Sequence, residues 1–421
     1  MRRSVVAATG IAVAGLAALV TVQARAADQL VIESWRNDDL SIWQDKIIPA
    51  FTKTHPDIQV TFSPSPPAEY NAALNAKLDG GTAGDIITCR PFDASLAMFK
   101  KGQLVSLNDL PGMDHFSATA KAGWSTDDGK ITFCVPMASV IHGFMYNEDA
   151  FKDVGVSVPK TESEFFDVLA KIKASGKYVP LDIGTADQWE AATMGFQNIG
   201  PDYWQGEAGR KALIDGTEKF TDKPYVETFE ELAKWKPYLA DGYQAQKYPD
   251  SQNLFTLGRA AVYPAGSWDI STFRKDAQFP IGAFPPPVPD GQTQCYISDH
   301  PDIAMGINAK TRHMQDAKTF LAWVATPEFA SLYSNALPGF FTLQDTSVTL
   351  TDPLAQTFVS WRKICKGTMR DSYQILSRGT PNLENQLWDV SAQVLNGTMT
   401  PAVAAQTVQK GLDSWYKPAV H

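Results

Sequence analysis

The first third of the chain alternates strand-like and helix-like patterns, and this alternation restricts the possible folds more than any other feature. Leu30-Val31-Ile32 is a short apolar strand, after which Asn37, Asp38 and Asp39 supply loop and helix-opening chemistry. Leu40, Trp43, Ile47 and Phe51 then recur at helical spacing until His55-Pro56 stops the run. Ile58 to Phe62 alternates as a strand does, and Tyr70, Leu74 and Leu78 mark a second helix closed by Gly80-Gly81. Asp85 to Thr88 reads as a third strand. A β-α-β-α-β order predicts an α/β lobe on a mainly parallel sheet.

Later segments continue the theme. Thr161-Glu162-Ser163-Glu164 fits a capping box, in which the Thr hydroxyl and the Glu carboxylate accept from opening backbone N–H groups. Phe165, Val168, Leu169 and Ile172 then line one helical face, and Gly176 is placed to end it. Two helices follow around Asp316 to Tyr333, divided at Thr326-Pro327. Pro285 to Pro287, with Pro289 and Gly291, predicts an irregular extended stretch.

The amino terminus reads as an address. Met1-Arg2-Arg3 supplies positive charge, residues 10–20 are apolar, and Ala24-Arg25-Ala26 offers a small-x-small cleavage pattern. Residues 1–26 are therefore expected to be removed on export, most simply to a bacterial periplasm, since a membrane span needs about 20 apolar residues. The net charge of −9 becomes more negative once Arg2, Arg3 and Arg25 are lost. That balance argues against a nucleic-acid or acidic-membrane partner. Export places Cys89, Cys134, Cys295 and Cys365 in an oxidising space, where they allow three full pairings. Cys89 and Cys134 each follow a strand-like run, which favours that pair; buried free thiols acting as small hydrophobes are the other reading.

Several segments, in the correct order, resemble the sugar-binding subunits of bacterial ABC importers, the class that includes maltose-binding protein. Gly84 to Ile87 followed by Phe99 to Leu107 is similar to that family's PDI and GLxxL element, with Gly84 in place of the usual proline. Val135-Pro136 with Phe144 to Phe151, and Pro159 to Phe165, resemble its VP, YN and PxTxxEF segments. Phe255 to Val262, ending in Gly266-Ser267-Trp268, and the helix pair over Ala317 to Pro327 resemble later ones. The resemblance implies a type II, Venus-flytrap binding protein with two discontinuous α/β lobes and a ligand cleft between them. One lobe is expected at residues 27–138 plus 303–340, the other at 139–302 plus 341–421. It further implies a permease and an ATPase as partners, a monomer, and no cofactor, metal or catalytic residue.

A pyranose has one face covered largely by C–H groups and a rim of hydroxyls. It needs an aromatic plate and surrounding carboxylates, amides or guanidinium groups inside a cleft. The resemblance puts Trp268, with Asp269 beside it, in that cleft, and Trp189, preceded by Gln188, at an aromatic position of the second lobe. The loop after the first strand offers Trp35, Arg36, Asn37 and Asp38, although Asp38 can instead cap the following helix. Arg90 and Asp93 follow the third strand, and Gly339 and Phe340 stand at a lobe crossing. Arg378 and Trp388 are the carboxyl-terminal candidates, and His142 falls near the hinge. The arginines leave room for an anionic sugar, a uronate or a sulfonated one, beside a neutral sugar or polyol. An exported glycoside hydrolase would need two facing carboxylates, and no Gly-x-Ser-x-Gly or His-Glu-x-x-His motif supports an enzyme.

Overall fold

A computed structural model of the chain describes residues 28–418; the export signal read over residues 1–26 lies outside the described residues. Ten strands occur among the described residues. These are β1 (Asp28–Ser34), β2 (Ile58–Pro64), β3 (Ile86–Cys89), β4 (Val135–Asn147) and β5 (Val179–Leu181). After them come β6 (Ala260–Gly266), β7 (Ile281–Phe284), β8 (Tyr296–Ile307), β9 (Phe341–Thr342) and β10 (Lys366–Thr368). They hydrogen-bond in the order β2-β1-β3-β8-β4-β6-β5, with β7 and β9 also on β4 and β10 on β8. β1 pairs in parallel with both β2 and β3, because each intervening helix returns the chain to run in the same direction.

β4 and β8 are the long members, and their length makes the architecture two-lobed. Residues 135–141 of β4 pair antiparallel with β8, whereas residues 142–146 pair with β6. β8 in turn meets β10 over 296–298, β4 over 299–305 and β3 over 304–307. The two strands therefore leave one sheet region and enter another without a break. β9 lies against Ala138 and Ser139 of β4 at the same level, where the β4–β8 register also shifts. Continuous strands of this kind can bend without losing either lobe's core.

Aromatic side chains build both cores. On the β1–β3 side, Trp43 stacks on Phe62 at 4.6 Å and meets Tyr333 edge-on at 6.2 Å. On the β6 side, Phe144 packs with Phe165, Trp235 and Phe284, and Trp204 stacks on Tyr225. Each buried ring contributes about 1.5–3 kcal/mol relative to exposure, so much of the tryptophan content serves the cores rather than a ligand.

The local helix signals correspond to specific bonds. The Thr161 hydroxyl accepts from the Glu164 N–H, and the Glu164 carboxylate accepts from the Lys160 N–H. Helix Glu162–Ser175 buries Phe165, Val168, Leu169 and Ile172 and ends at left-handed Gly176. Thr326 accepts from the Phe329 N–H to open Pro327–Ala336. Asp38 makes no capping bond to the turn Asn37–Asp39. Both disulfides are formed, Cys89–Cys134 and Cys295–Cys365, so the free-thiol reading does not hold.

Candidate functional site

Between the two sheet regions lies a cavity of about 50 Å³. Its aromatic wall is made by Trp35, Trp189, Trp268, Trp388 and Tyr248. Each arrives from a different element. Trp35 directly follows β1, Trp189 precedes the helical run 191–203, and Trp388 projects from helix Leu383–Asn396. Tyr248 opens helix Tyr248–Thr256, and Trp268 sits in the tight turn Ser267–Asp269 after β6. Gly266 explains that turn: a Cβ there would overlap the Trp268 ring, so only glycine lets the indole fold back across the strand end. Trp189 and Tyr248 meet edge-on at 4.8 Å.

Arg36, Arg90 and Arg370, with Asp302 and Glu384, form the charged wall. Arg36 makes a bidentate pair with Asp39, at 2.7 and 2.8 Å, and its Nη2 donates to the Trp268 carbonyl at 3.4 Å across the cleft. Burial opposes its charge, yet Asp39, with smaller help from Asp38 and Tyr248, holds the guanidinium pKa above its usual range. Arg90 lies over the Trp35 ring at 4.4 Å and donates to Asn71 Oδ1 and the Pro67 carbonyl. Glu384 is 3.8 Å from Arg370 Nη1, and the Arg370 Nε is buried without a partner. Burial pushes the Asp302 carboxyl up, against the pull of Arg370, Arg90 and Arg36. Arg90, Arg370 and Glu384 also border an adjoining groove of about 480 Å³. Hydroxyls can thus donate to two carboxylates and accept from three guanidinium groups while apolar faces rest on indole.

The other candidates fall outside this lining. Asp269 is fully buried beneath it: Tyr248 donates its hydroxyl to Oδ1, Gln252 donates to the same oxygen at 3.1 Å, and the Gly266 N–H donates to Oδ2 at 3.3 Å. Burial, tempered by those bonds, lifts its carboxyl to about 7. It orients Tyr248 instead of facing the cavity. Asp38 comes within 3.9 Å of Arg36 Nη1, and Asn37 Oδ1 is buried without a partner. Gln188 is exposed, with a positive φ of 62°. Phe340 supports Arg36 from below at 5.1 Å. Gly339, at φ 104°, presses on the Ser267 turn, and its carbonyl accepts from Ser267 Oγ at 2.5 Å. Asp93 and Arg378 bind each other at 2.6 Å, away from the aromatic wall.

His142 is not a lone histidine. Its Nε2 faces His300 Nε2 at 2.9 Å, its Nδ1 faces the Thr193 carbonyl at 3.0 Å, and its ring abuts Trp268. Burial, reinforced by Arg370, pushes both imidazole pKa values down, so the pair underlies the cavity largely uncharged.

Sequence reasoning missed Tyr248, Thr193, Asp302, Arg370 and Glu384. One signal was present for Asp302: Ser298, His300 and Asp302 share one face of β8 at period two, and all are buried. Buried polar residues repeating on a strand face point toward a polar cavity. Other grooves do not compete chemically. One of about 800 Å³ includes Lys121 and Lys130 but no tryptophan, and one of about 510 Å³ has Trp323 alone.

The profile of the bacterial extracellular solute-binding protein family matches residues 46–355. The chain belongs to that family. Among curated relatives, the Multiple sugar-binding protein of Streptococcus mutans is 24% identical over 320 residues, covering 73% of each chain. An extracellular-binding protein of an ABC transporter from Pyrococcus horikoshii is 26% identical over 300 residues, covering 70% of this chain and 68% of its own. Solved solute-binding proteins share the fold. A chitin oligosaccharide binding protein superposes with TM-score 0.76 at 20% identity, covering 92% of this chain and 98% of its own. A raffinose complex gives 0.75 at 18% identity, covering 92% and 99%.

Proposed function

We propose that this protein is the periplasmic substrate-binding component of an ABC importer, capturing a sugar between its lobes and delivering it to a membrane permease driven by an ATPase. One observation carries the reading: four tryptophans from four separate segments converge with arginines and carboxylates on one interlobe cavity. The contacting residues in this reading are Trp35, Arg36, Arg90, Trp189, Tyr248, Trp268, Asp302, Arg370, Glu384 and Trp388, with Asp269 and Phe340 as supports. The lobe division at 27–138 plus 303–340 and 139–302 plus 341–421 belongs to the same proposal, as do the monomeric state and export through residues 1–26. A ligand touching both walls favours the closed arrangement, because it binds that arrangement better than the open one.

The names of related proteins support a sugar: one is a multiple sugar-binding protein, and solved relatives hold raffinose and stachyose. Charge supports a neutral one, since Asp39, Asp302 and Glu384 stand against Arg36, Arg90 and Arg370. A second reading, an anionic sugar, draws on Arg90, which donates to an amide and a carbonyl rather than to a carboxylate. A thermal-shift screen of neutral sugars, polyols, uronates and sulfonated sugars separates these. A ligand at 100 times its dissociation constant should stabilise by about 2.7 kcal/mol, and Trp268→Ala should abolish that response. An intact response in Trp268→Ala overturns the site. Labelled oligosaccharides should be recovered unchanged; a hydrolysis product would make the protein an enzyme.

A further inference from the structure

Arg378 was expected among the sugar contacts, but its guanidinium is fully engaged elsewhere. Nε donates to Asp93 Oδ1 at 2.6 Å, Nη2 to Asp127 Oδ1 at 2.6 Å, and Nη1 to Asp127 Oδ2 at 3.3 Å. Asp93 opens helix Asp93–Lys100 directly after β3, and Asp127 sits in the loop closed by the Ser125–Thr132 bridge. Arg378 instead precedes helix Leu383–Asn396, which packs on Pro401–Asp413 and Lys223–Lys234 of the other half. The three charges therefore bridge the two halves of the molecule. Lys100 adds a fourth, 3.4 Å from Asp127.

We propose that Arg378 is an interlobe latch, a positioning residue that stabilises closure through Asp93 and Asp127 without touching the captured solute. Arg378 borders the outer groove but not the tryptophan cavity. Asp93 is nearly enclosed while Asp127 is about half exposed, and Asp93 Oδ2 has no partner. Opening separates Arg378 from both carboxylates and returns all three groups to water. The latch thus acts on the open–closed equilibrium, whatever solute the cavity takes.

The test needs no ligand, so its failure is distinct from failure of the sugar reading. Spin labels at Ala76→Cys and Leu257→Cys, both exposed and on opposite halves, report the interlobe distance in the ligand-free full chain. Arg378→Gln should lower the closed-to-open ratio about fivefold, the upper range for a partly exposed ion pair. Arg378→Lys should restore part of it, and the exchange R378E with D127K should recover closure that R378E alone loses. Raising salt from 0.05 to 0.5 M should open the wild type but not Arg378→Gln. A distance distribution for Arg378→Gln equal to wild type at every salt overturns the latch, as does a ligand-free wild type that is uniformly open. Should Arg378→Gln not fold, Asp127→Lys at its half-exposed position must open the molecule, and an unchanged distribution there also overturns it.

Discussion

Replacing Tyr248 by Phe removes one hydroxyl from the cavity wall while keeping the ring against Trp189. That hydroxyl donates to Asp269 Oδ1, which otherwise keeps only Gln252 at 3.1 Å. Burial lifts the Asp269 carboxyl from 3.8 to about 7, and the Tyr248 and Gln252 bonds hold it from rising further. Because the folded value lies above the unfolded one, folding takes up a proton between them. The stability from this group is complete below about pH 4 and is lost as pH rises through about 7. Roughly three units at 1.36 kcal/mol each make the loss about 4 kcal/mol. Without the Tyr248 hydroxyl, the ionised carboxylate loses a bond worth about 1.5–3 kcal/mol, whereas the neutral acid loses about 0.5–1.5 kcal/mol. Tyr248→Phe should therefore cost about 1 kcal/mol at pH 5 and about 2–3 kcal/mol at pH 8.5. Urea unfolding at the two pH values measures both. Equal losses, or a larger loss at pH 5, would refute the account of Asp269.

Three further outcomes are expected. Arg36→Ala leaves Asp39 buried without its bidentate partner, and chemical denaturation should show a loss of about 3–5 kcal/mol; Asp39→Ala with Arg36→Met should recover much of it. Gly339→Ala forces a Cβ onto the Ser267 carbonyl at φ 104°, so calorimetry should show a lowered melting temperature and a loss of at least about 2 kcal/mol. The disulfides span 45 and 70 residues, and removing either by paired Cys→Ser changes should cost about 4 kcal/mol on the chain-entropy estimate, read by guanidinium unfolding without reductant.

Much of the fold was legible because its signals are local. Apolar spacing over Leu40 to Phe51, the hydroxyls of Thr161 and Thr326, and glycine at 176 each act within a few residues. Trp268 was singled out by the resemblance of Gly266-Ser267-Trp268 to a family segment, and the structure supplies the reason for the glycine: a Cβ at Gly266 would overlap the Trp268 ring. Tyr248 and Glu384 gave no comparable signal, since each stands in the first turn of an ordinary helix. Trp43, Trp204 and Trp235 look no different in sequence from Trp189 and Trp268, yet pack in the cores. Arg378 and Asp93 were each taken for a sugar contact because nothing in either segment reveals the other, 285 residues away.

The order of strands and helices, the caps and the glycine turns were decided by the sequence, since their energies depend on neighbours along the chain. Which tryptophans line the interlobe cavity, which charges pair across the lobes, and how far burial lifts the Asp269 carboxyl were decided only by tertiary structure. Those properties depend on burial and on distances between segments, and both come into being when β4 and β8 bring the two lobes together.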